Sequence, residues 1–414
     1  MRLVLTTYGT LGEILPFVAL ANRLYQRGHE VTLALPASLS RYADGFGFTV
    51  VACRPDISPE FVRAHAADYA APDSGLPAKA QLRTRERFED LSSICQHAQA
   101  LIAAWFPAVS AVLRETCGIP WIQAQPTAGT LWHPTHEQDF RTLESGAAAA
   151  SGDDYLRVMF SEWLALRASL GLGSRPDLKG YFRPDMLLAA VSPLLFPLPA
   201  PATSPEPVFT GFWLQDHASW RPDEELARFL ERRPIVFSFS SQPLTDAGAV
   251  LNMHVRAALA IDRPMLVLAG WSGINEAMLA GEIPRTEVLI RAFEPFQEVA
   301  SHACCAITHG GIGTLADGIL AGCPLLVEPY GGDQYLNAWQ ISRLGIGAAA
   351  ERHLLTAPNL ARLLQERVLL KGVKQRVKAL AREMRKENGL DEACRMIDQV
   401  SAAAHSRPAV PQQA

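Results

Sequence analysis

"THGGIGTLADGILAGCPLLVEPYGGDQYLNA", residues 308–338, sets three glycines behind a histidine at one end and closes on an Asp-Gln pair near the other. Residues 303–308 read as a short buried strand, His309-Gly310-Gly311-Ile312-Gly313-Thr314 as the turn after it, and 315–320 as the beginning of a helix. A helix N-terminus directs unpaired N–H groups at such a turn, which suits a phosphate oxygen, and glycine lets the backbone approach it closely. His309 and Thr314 add side-chain donors. Asp317 lies about one turn beyond Gly313 on the same face, where a carboxylate can accept from ribose hydroxyls. Residues 325–327 read as the next strand, and Asp333 and Gln334 follow its C-terminal end as His309 follows the previous one. In an open α/β sheet both places line one crevice. A diphosphate at the first would carry its substituent towards Asp333 and Gln334, whose acceptors and donors suit vicinal hydroxyls. The pattern implies a nucleotide sugar.

Working outward, residues 235–239, 265–269 and 288–290 are further short apolar runs separated by helix-length segments, so the C-terminal half reads as a parallel α/β domain. At the other end, residues 2–6 are strand-like and Phe17, Leu20, Ala21 and Leu24 recur at helical spacing. Gly28 stands where that helix would stop, and residues 31–35 are strand-like again, completing a βαβ unit. Pro16 is expected near the start of the helix, where its missing N–H costs nothing. A chain of 414 residues exceeds what one hydrophobic core usually serves. The expected division is a first domain over 1–200, a linker over 201–222, a second domain over 223–380, a helix over 381–402 packing back on the first domain, and a disordered tail over 403–414. The linker is placed by "LLFPLPAPATSPEPVF", residues 194–209, with five prolines in sixteen residues.

Composition excludes several classes. With 49% apolar and 19% charged residues and a net charge of -4, the chain reads as an ordinary globular protein with no nucleic-acid partner. Its seven cysteines contain no CxxC pair, which fits a reducing, cytoplasmic setting. Gly9, Gly12, Glu13 and Pro16 break the apolar start, which reads as strand, loop and helix and not as a secretion signal. Residues 187–205 are uncharged but proline-broken, so they read as no membrane span. The helical pattern over 370–395 has a basic face that reads as solvated, with a peripheral membrane contact as the other reading. The oligomeric state is left open.

Gly-rich His309 to Thr314, Gly322-x-Pro324, Pro329, Asp333-Gln334-x-x-Asn337-Ala338 and Gly345-x-Gly347, in this order and spacing, resemble the C-terminal signature of the UDP-glycosyltransferase family with the GT-B fold. "GTLGEILPFVALANRLYQRGHEV", residues 9–31, is similar to the same family's opening, and the overall cast resembles bacterial members acting on lipids, sterols or natural products, including rhamnosyltransferase-like ones. The resemblance implies an α/β, GT-B architecture: two Rossmann-like, doubly wound parallel-sheet domains facing across a cleft. It implies that His309, Gly310, Gly311, Gly313 and Thr314 bind the diphosphate of a UDP- or dTDP-sugar, Asp317 the ribose, and Asp333 with Gln334 the sugar hydroxyls. Phe293, in "FEPF", falls where the family's nucleobase segment lies, and Ser240-Ser241 stands where the family has Gly-Ser. Ser241 is retained as a donor-binding candidate.

Sugar transfer to an alcohol needs a base for the hydroxyl proton and a cradle for the charge on the departing diphosphate. Glu13 occupies the family's His-or-Asp position and is the candidate base; the alternative is a carboxylate that merely favours the helix start. "WHPTHEQD" supplies Trp132, His133 and His136 as acceptor-binding candidates, with Glu137 and Asp139 beside them, and is the second candidate source of the base. Pro134 spoils the helical spacing that a His-x-x-His metal site needs, and no Asp-x-Asp occurs, so neither metal nor cofactor is expected. Trp105, Trp121, Trp132 and Trp163 read mostly as core, with one or two lining an apolar acceptor pocket. The expected reaction is inverting, metal-independent transfer of a hexose to an apolar hydroxylated acceptor. Rivals are a nucleotide-sugar epimerase of the same fold, a non-catalytic glycosyltransferase-like partner, and an NAD-dependent oxidoreductase. The last is disfavoured because Gly9-x-x-Gly12 lacks the full dinucleotide spacing.

Overall fold

The computed structural model describes residues 1–65, 83–104, 107–127, 152–173, 181–196, 205–217 and 219–405. Strands β1 (Arg2–Thr6), β2 (Glu30–Leu35), β3 (Thr49–Ala52), β4 (Ala100–Ala103), β5 (Trp121–Gln125), β6 (Met186–Ala189) and β7 (Pro207–Phe209) form one sheet in the order β3-β2-β1-β4-β5-β6-β7. A second sheet joins β8 (Ile235–Ser238), β9 (Met265–Leu268), β10 (Val288–Arg291), β11 (Cys305–Thr308), β12 (Leu325–Val327) and β13 (Gly347–Ala349) in the order β10-β9-β8-β11-β12-β13. Every pairing is parallel. The central strands are short continuous apolar runs, buried along their length, as parallel strands covered by helices on both faces must be. Each sheet is doubly wound, with the winding reversing between β1 and β4 in the first and between β8 and β11 in the second. The crevice beyond the C-terminal strand ends at such a point is where ligands gather. This is the two-domain Rossmann-like architecture that the resemblance implied.

Three local features differ from the sequence reading. Residues 207–209, placed in the linker, form β7 and pair with β6. Pro207 is tolerated because it opens an edge strand, where no neighbour asks for its N–H. The first helix runs Leu11–Gln26, so Pro16 is its sixth residue and lies beyond the free N–H groups of the first turn. It therefore withholds a hydrogen bond from the Gly12 carbonyl. Helix also continues through His405, into the expected tail, because residues 402–404 are all alanine, the strongest helix former; residues 406–414 lie outside the described residues.

The chain leaves the first sheet after β7, builds the second domain, and returns after the helix Lys371–Met384 into the helix Gly389–His405. Ala393, Cys394 and Ile397 of that last helix are fully buried in one core with Phe17, Leu20 and Leu24 of the first helix. Arg23 clamps Asp391 through two 2.6 Å bonds, and Arg27 reaches Asp398 at 3.1 Å. The outgoing and returning segments touch at Gly211 and Gly389: a Cβ on Gly389 would stand 2.3 Å from the Phe212 carbonyl oxygen and 2.7 Å from the Gly211 carbonyl carbon. No helix among the described residues is long and apolar enough to cross a membrane. Gly389→Ala should lower the stability read from urea unfolding by about 1–3 kcal/mol, the range for overpacking. Gly281→Ala, at an exposed turn where a Cβ meets nothing within 4 Å, serves as the unchanged control.

Candidate active site

The two switch points face each other across a cleft walled by the segments that follow the strand ends. Thr10, Gly12 and Glu13 come after β1 and Thr127 after β5. From the second domain, Ser240 and Ser241 come after β8, Phe293 after β10, His309 to Asp317 after β11, and Asp333 with Gln334 after β12.

The helix after β11 is Ile312–Leu320, so it begins three residues earlier than the sequence suggested and holds Gly313 and Thr314 in its first turn. Gly310 makes the sharp entry possible. Its φ is +95°, and a Cβ there would sit 2.7 Å from Val327 Cγ1. Gly313 differs, because a Cβ on it would meet nothing within 4 Å: the space before the helix start is open. His309 is buried, and burial pushes its pKa down to about 4, so the ring is neutral at pH 7. Its Nδ1 is enclosed without a hydrogen-bond partner. Asp317, facing the cleft one turn along, is pushed up to about 7 by burial and then by Glu298.

Asp333 stands at the N-cap of the helix Gln334–Arg343. Its Oδ2 accepts from the Thr127 hydroxyl, across the cleft, and from Asn337 Nδ2 at 3.2 Å. Asn337 also donates to the Gly310 carbonyl at 2.9 Å, tying the two loops together. Burial raises the pKa of Asp333 against these donors. Gln334 uses its side-chain oxygen on the loop itself, accepting from Tyr330 N (2.8 Å) and Gly331 N (3.3 Å), while its amide donates to Gln242 Oε1 at 3.3 Å. One amide hydrogen therefore remains for a ligand.

Ser240 carries the backbone conformation that a glycine at this place would adopt freely, with φ at +50°. Its carbonyl accepts from Trp271 N at 2.8 Å, and Ser241 behind it is buried on the cleft wall. The turn thus survives the missing glycine at a steric cost. Phe293 is 58% exposed at the cleft mouth, free to meet a ring.

Across the cleft, Glu13 Oε2 accepts from the Thr10 backbone N–H (2.8 Å) and the Thr10 hydroxyl (3.1 Å), completing a capping box on the first helix. The two readings of Glu13 are thus compatible, since one carboxylate oxygen caps the helix and the other remains. Burial first, and the nearby Asp333 second, push its pKa up to about 7, against the Thr10 bonds that pull it down. Leu11, Leu15, Pro126, Trp213 and Leu214 give this side of the cleft an apolar wall. Trp121 and Trp163 are core residues, 1% and 2% exposed, and among the described residues the tryptophan that reaches the cleft is Trp213, which the sequence reading did not single out. Its Nε1 donates to Thr210 Oγ1 at 2.9 Å. Trp132, His133 and His136, with Trp105, Glu137 and Asp139, lie outside the described residues.

A carboxylate titrating near neutrality on one wall, opposite an amide-rich helix start on the other, is equipment for deprotonating a hydroxyl beside a bound anion. Residues 3–132 match the glycosyltransferase family 28 N-terminal domain, and residues 251–409 match the UDP-glucoronosyl and UDP-glucosyl transferase family. The chain is a glycosyltransferase-family protein of the GT-B fold. Among relatives of this family, a sterol 3-beta-glucosyltransferase of Yarrowia lipolytica is 24% identical over 96% of this chain, which spans only 28% of that longer protein. The O-mycaminosyltylonolide 6-deoxyallosyltransferase of Streptomyces fradiae is 25% identical, with 96% of this chain aligned to 97% of it. The crystal structure of the kitacinnamycin glycotransferase superposes with a TM-score of 0.71 at 21% identity, covering 96% of this chain and 98% of its own.

Gly313→Ala should separate binding from folding. Alanine favours a helix by up to about 1 kcal/mol over glycine, so the unfolding midpoint should hold or rise. The methyl fills the open anion space, so calorimetric affinity for UDP or dTDP should fall about tenfold or more.

Proposed function

We propose that the protein transfers a hexose from a UDP- or dTDP-sugar to a hydroxyl of an apolar small molecule, a lipid, sterol or natural product, by direct displacement with inversion and without a metal ion. What carries the reading is that Glu13 of the first domain and His309, Asp317 and Asp333 of the second line a single cleft. The donor lies on the second domain: diphosphate against the start of the helix Ile312–Leu320, ribose at Asp317, sugar at Asp333 and Gln334, nucleobase beside Phe293. The neutral ring of His309 on the cleft wall beside that helix start favours this placement, because it can offer a hydrogen bond to the diphosphate. The acceptor lies against the apolar wall around Trp213, which suits the sterol and the O-mycaminosyltylonolide for which two relatives are named.

In the reaction, the free carboxylate oxygen of Glu13 takes the acceptor's hydroxyl proton while the hydroxyl oxygen bonds to the anomeric carbon. The bond from that carbon to the diphosphate breaks on the opposite face, which inverts the centre. The electron pair leaves on the diphosphate, where the helix N–H groups receive the charge. Glutamate at its ordinary pKa is a weak base; displaced to about 7, it stands where proton transfer at neutral pH is effective.

Glu13 is protonated below about 7 and charged above, so kcat/KM should rise with pH through that value. Glu13→Gln should flatten this limb and lower kcat by about 100-fold or more, with donor affinity unchanged, as pH-rate profiles and calorimetry would read. A sugar appearing on an added apolar alcohol, seen by mass spectrometry, is the expected product. A sugar that only changes configuration on its nucleotide would replace this reading with the epimerase.

A further inference from the structure

Glu328 ends the apolar run of β12 with a carboxylate that is 1% exposed, and it meets His254, 0% exposed, of the helix Ala247–Leu259. We infer that this buried pair is a positioning device for the donor-sugar loop, fixing the stem on which Asp333 and Gln334 stand. The inference rests on the donor placement proposed above.

The proton arrangement is determined by the partners. His254 Nδ1 lies 2.7 Å from the Val250 carbonyl, which can only accept, so Nδ1 carries a hydrogen and Nε2 faces Glu328 Oε1 at 2.8 Å. Burial opposes charge on the imidazole, yet Glu328 and the Val250 carbonyl together hold its pKa above the ordinary value. The pair shares a proton along a defined line. Apolar residues of similar volume would fill the same space with equal or greater stability, so stability alone does not account for an ionisable pair here.

What the pair adds is direction. The Glu328 backbone N–H donates to the Thr308 carbonyl at 2.8 Å, and two residues on, Tyr330 N donates to Gln334 at 2.8 Å. Phe239 packs edge-on to His254 (6.2 Å between centroids), to His309 (6.2 Å) and to Tyr330 (5.3 Å). On Tyr330 rests the Arg352 guanidinium, 4.3 Å from the ring centre. The polar pair and this aromatic contact therefore hold the helix Ala247–Leu259 to the base of both ligand loops, with the only covalent continuation leading to Asp333. His254 and Glu328 line no part of the cleft, so they act through the loop and not on the ligand.

The test measures binding of UDP and UDP-glucose, and of dTDP and dTDP-glucose, by calorimetry. It uses the wild type, Glu328→Gln, Glu328→Leu and the double variant His254→Leu/Glu328→Leu, each with its unfolding midpoint. The double variant should melt no lower than the wild type, because both polar groups are gone, yet bind the sugar nucleotide about tenfold or more weakly while binding the bare nucleotide within about twofold. Glu328→Gln, which can still donate to Nε2, should stay within about threefold for both. If Glu328→Leu fails to fold, the double variant decides. A double variant that binds both ligands as the wild type does, loses them in equal proportion, or fails to fold would overturn the inference. Wild-type protein that binds neither nucleotide pair would instead sink the transferase reading and this inference with it.

Discussion

Ala393, Cys394 and Ile397 belong to the last helix of the chain but to the core of the first domain, so the chain that builds the second sheet is obliged to come back. With a linker at one end and a buried helix at the other, the second domain is tethered twice, and the Gly211–Gly389 contact brings the two tethers within touching distance. That constraint turns two separate crevices into one cleft. The switch point at β1 and β4 and the switch point at β8 and β11 would each be a place for half a substrate pair. Facing each other, they let Thr127 of one domain donate to Asp333 of the other and let the charge of Asp333 act on Glu13. The share of the raised Glu13 proton affinity that comes from the Asp333 charge, second to burial, is therefore a property of the assembled pair of domains.

The sequence exposed what repeats and what punctuates. Strand ends followed by glycine, histidine or Asp-Gln were readable because a loop that binds an anion needs residue types that a core does not, and these lie in one continuous stretch from His309 to Gln334. The positions that escaped are those whose meaning is set by distant partners. Thr127 is an unremarkable threonine until the second domain places Asp333 against it. Trp213 could not be told from the core tryptophans, since its burial matches theirs and only the position of its neighbours puts it at the cleft. Ser240 adopts a positive φ that its residue type does not announce. Glu328 did carry a signal, a lone carboxylate closing an apolar run, but its partner His254 lies 74 positions away in sequence. Pro16 was misplaced by a few residues because helix starts are set by capping, and the cap here is the Thr10–Glu13 pair and not the proline.

The charge balance of the cleft links the free and bound states. Glu13, Asp317, Asp333 and Glu294 line it, and no lysine or arginine does among the described residues. A diphosphate entering such a place meets no lysine or arginine among the described residues, so there backbone N–H groups and His309 are what can hold it, while the carboxylates must avoid repelling it. Burial has prepared them: Glu13 and Asp317 sit near 7, so each accepts a proton readily as negative charge arrives. Hydroxyl groups reverse the effect, because a donor hydrogen bond favours the ionised carboxylate and draws its pKa down again. On the proposed placement, ribose does this for Asp317, and the acceptor alcohol does it for Glu13. Glu13 is then most easily ionised when the hydroxyl it must deprotonate has arrived, and an anion alone leaves it protonated and idle. A cleft walled by carboxylates, with no lysine or arginine among its described residues, thereby ties the ionisation of its base to the arrival of the acceptor.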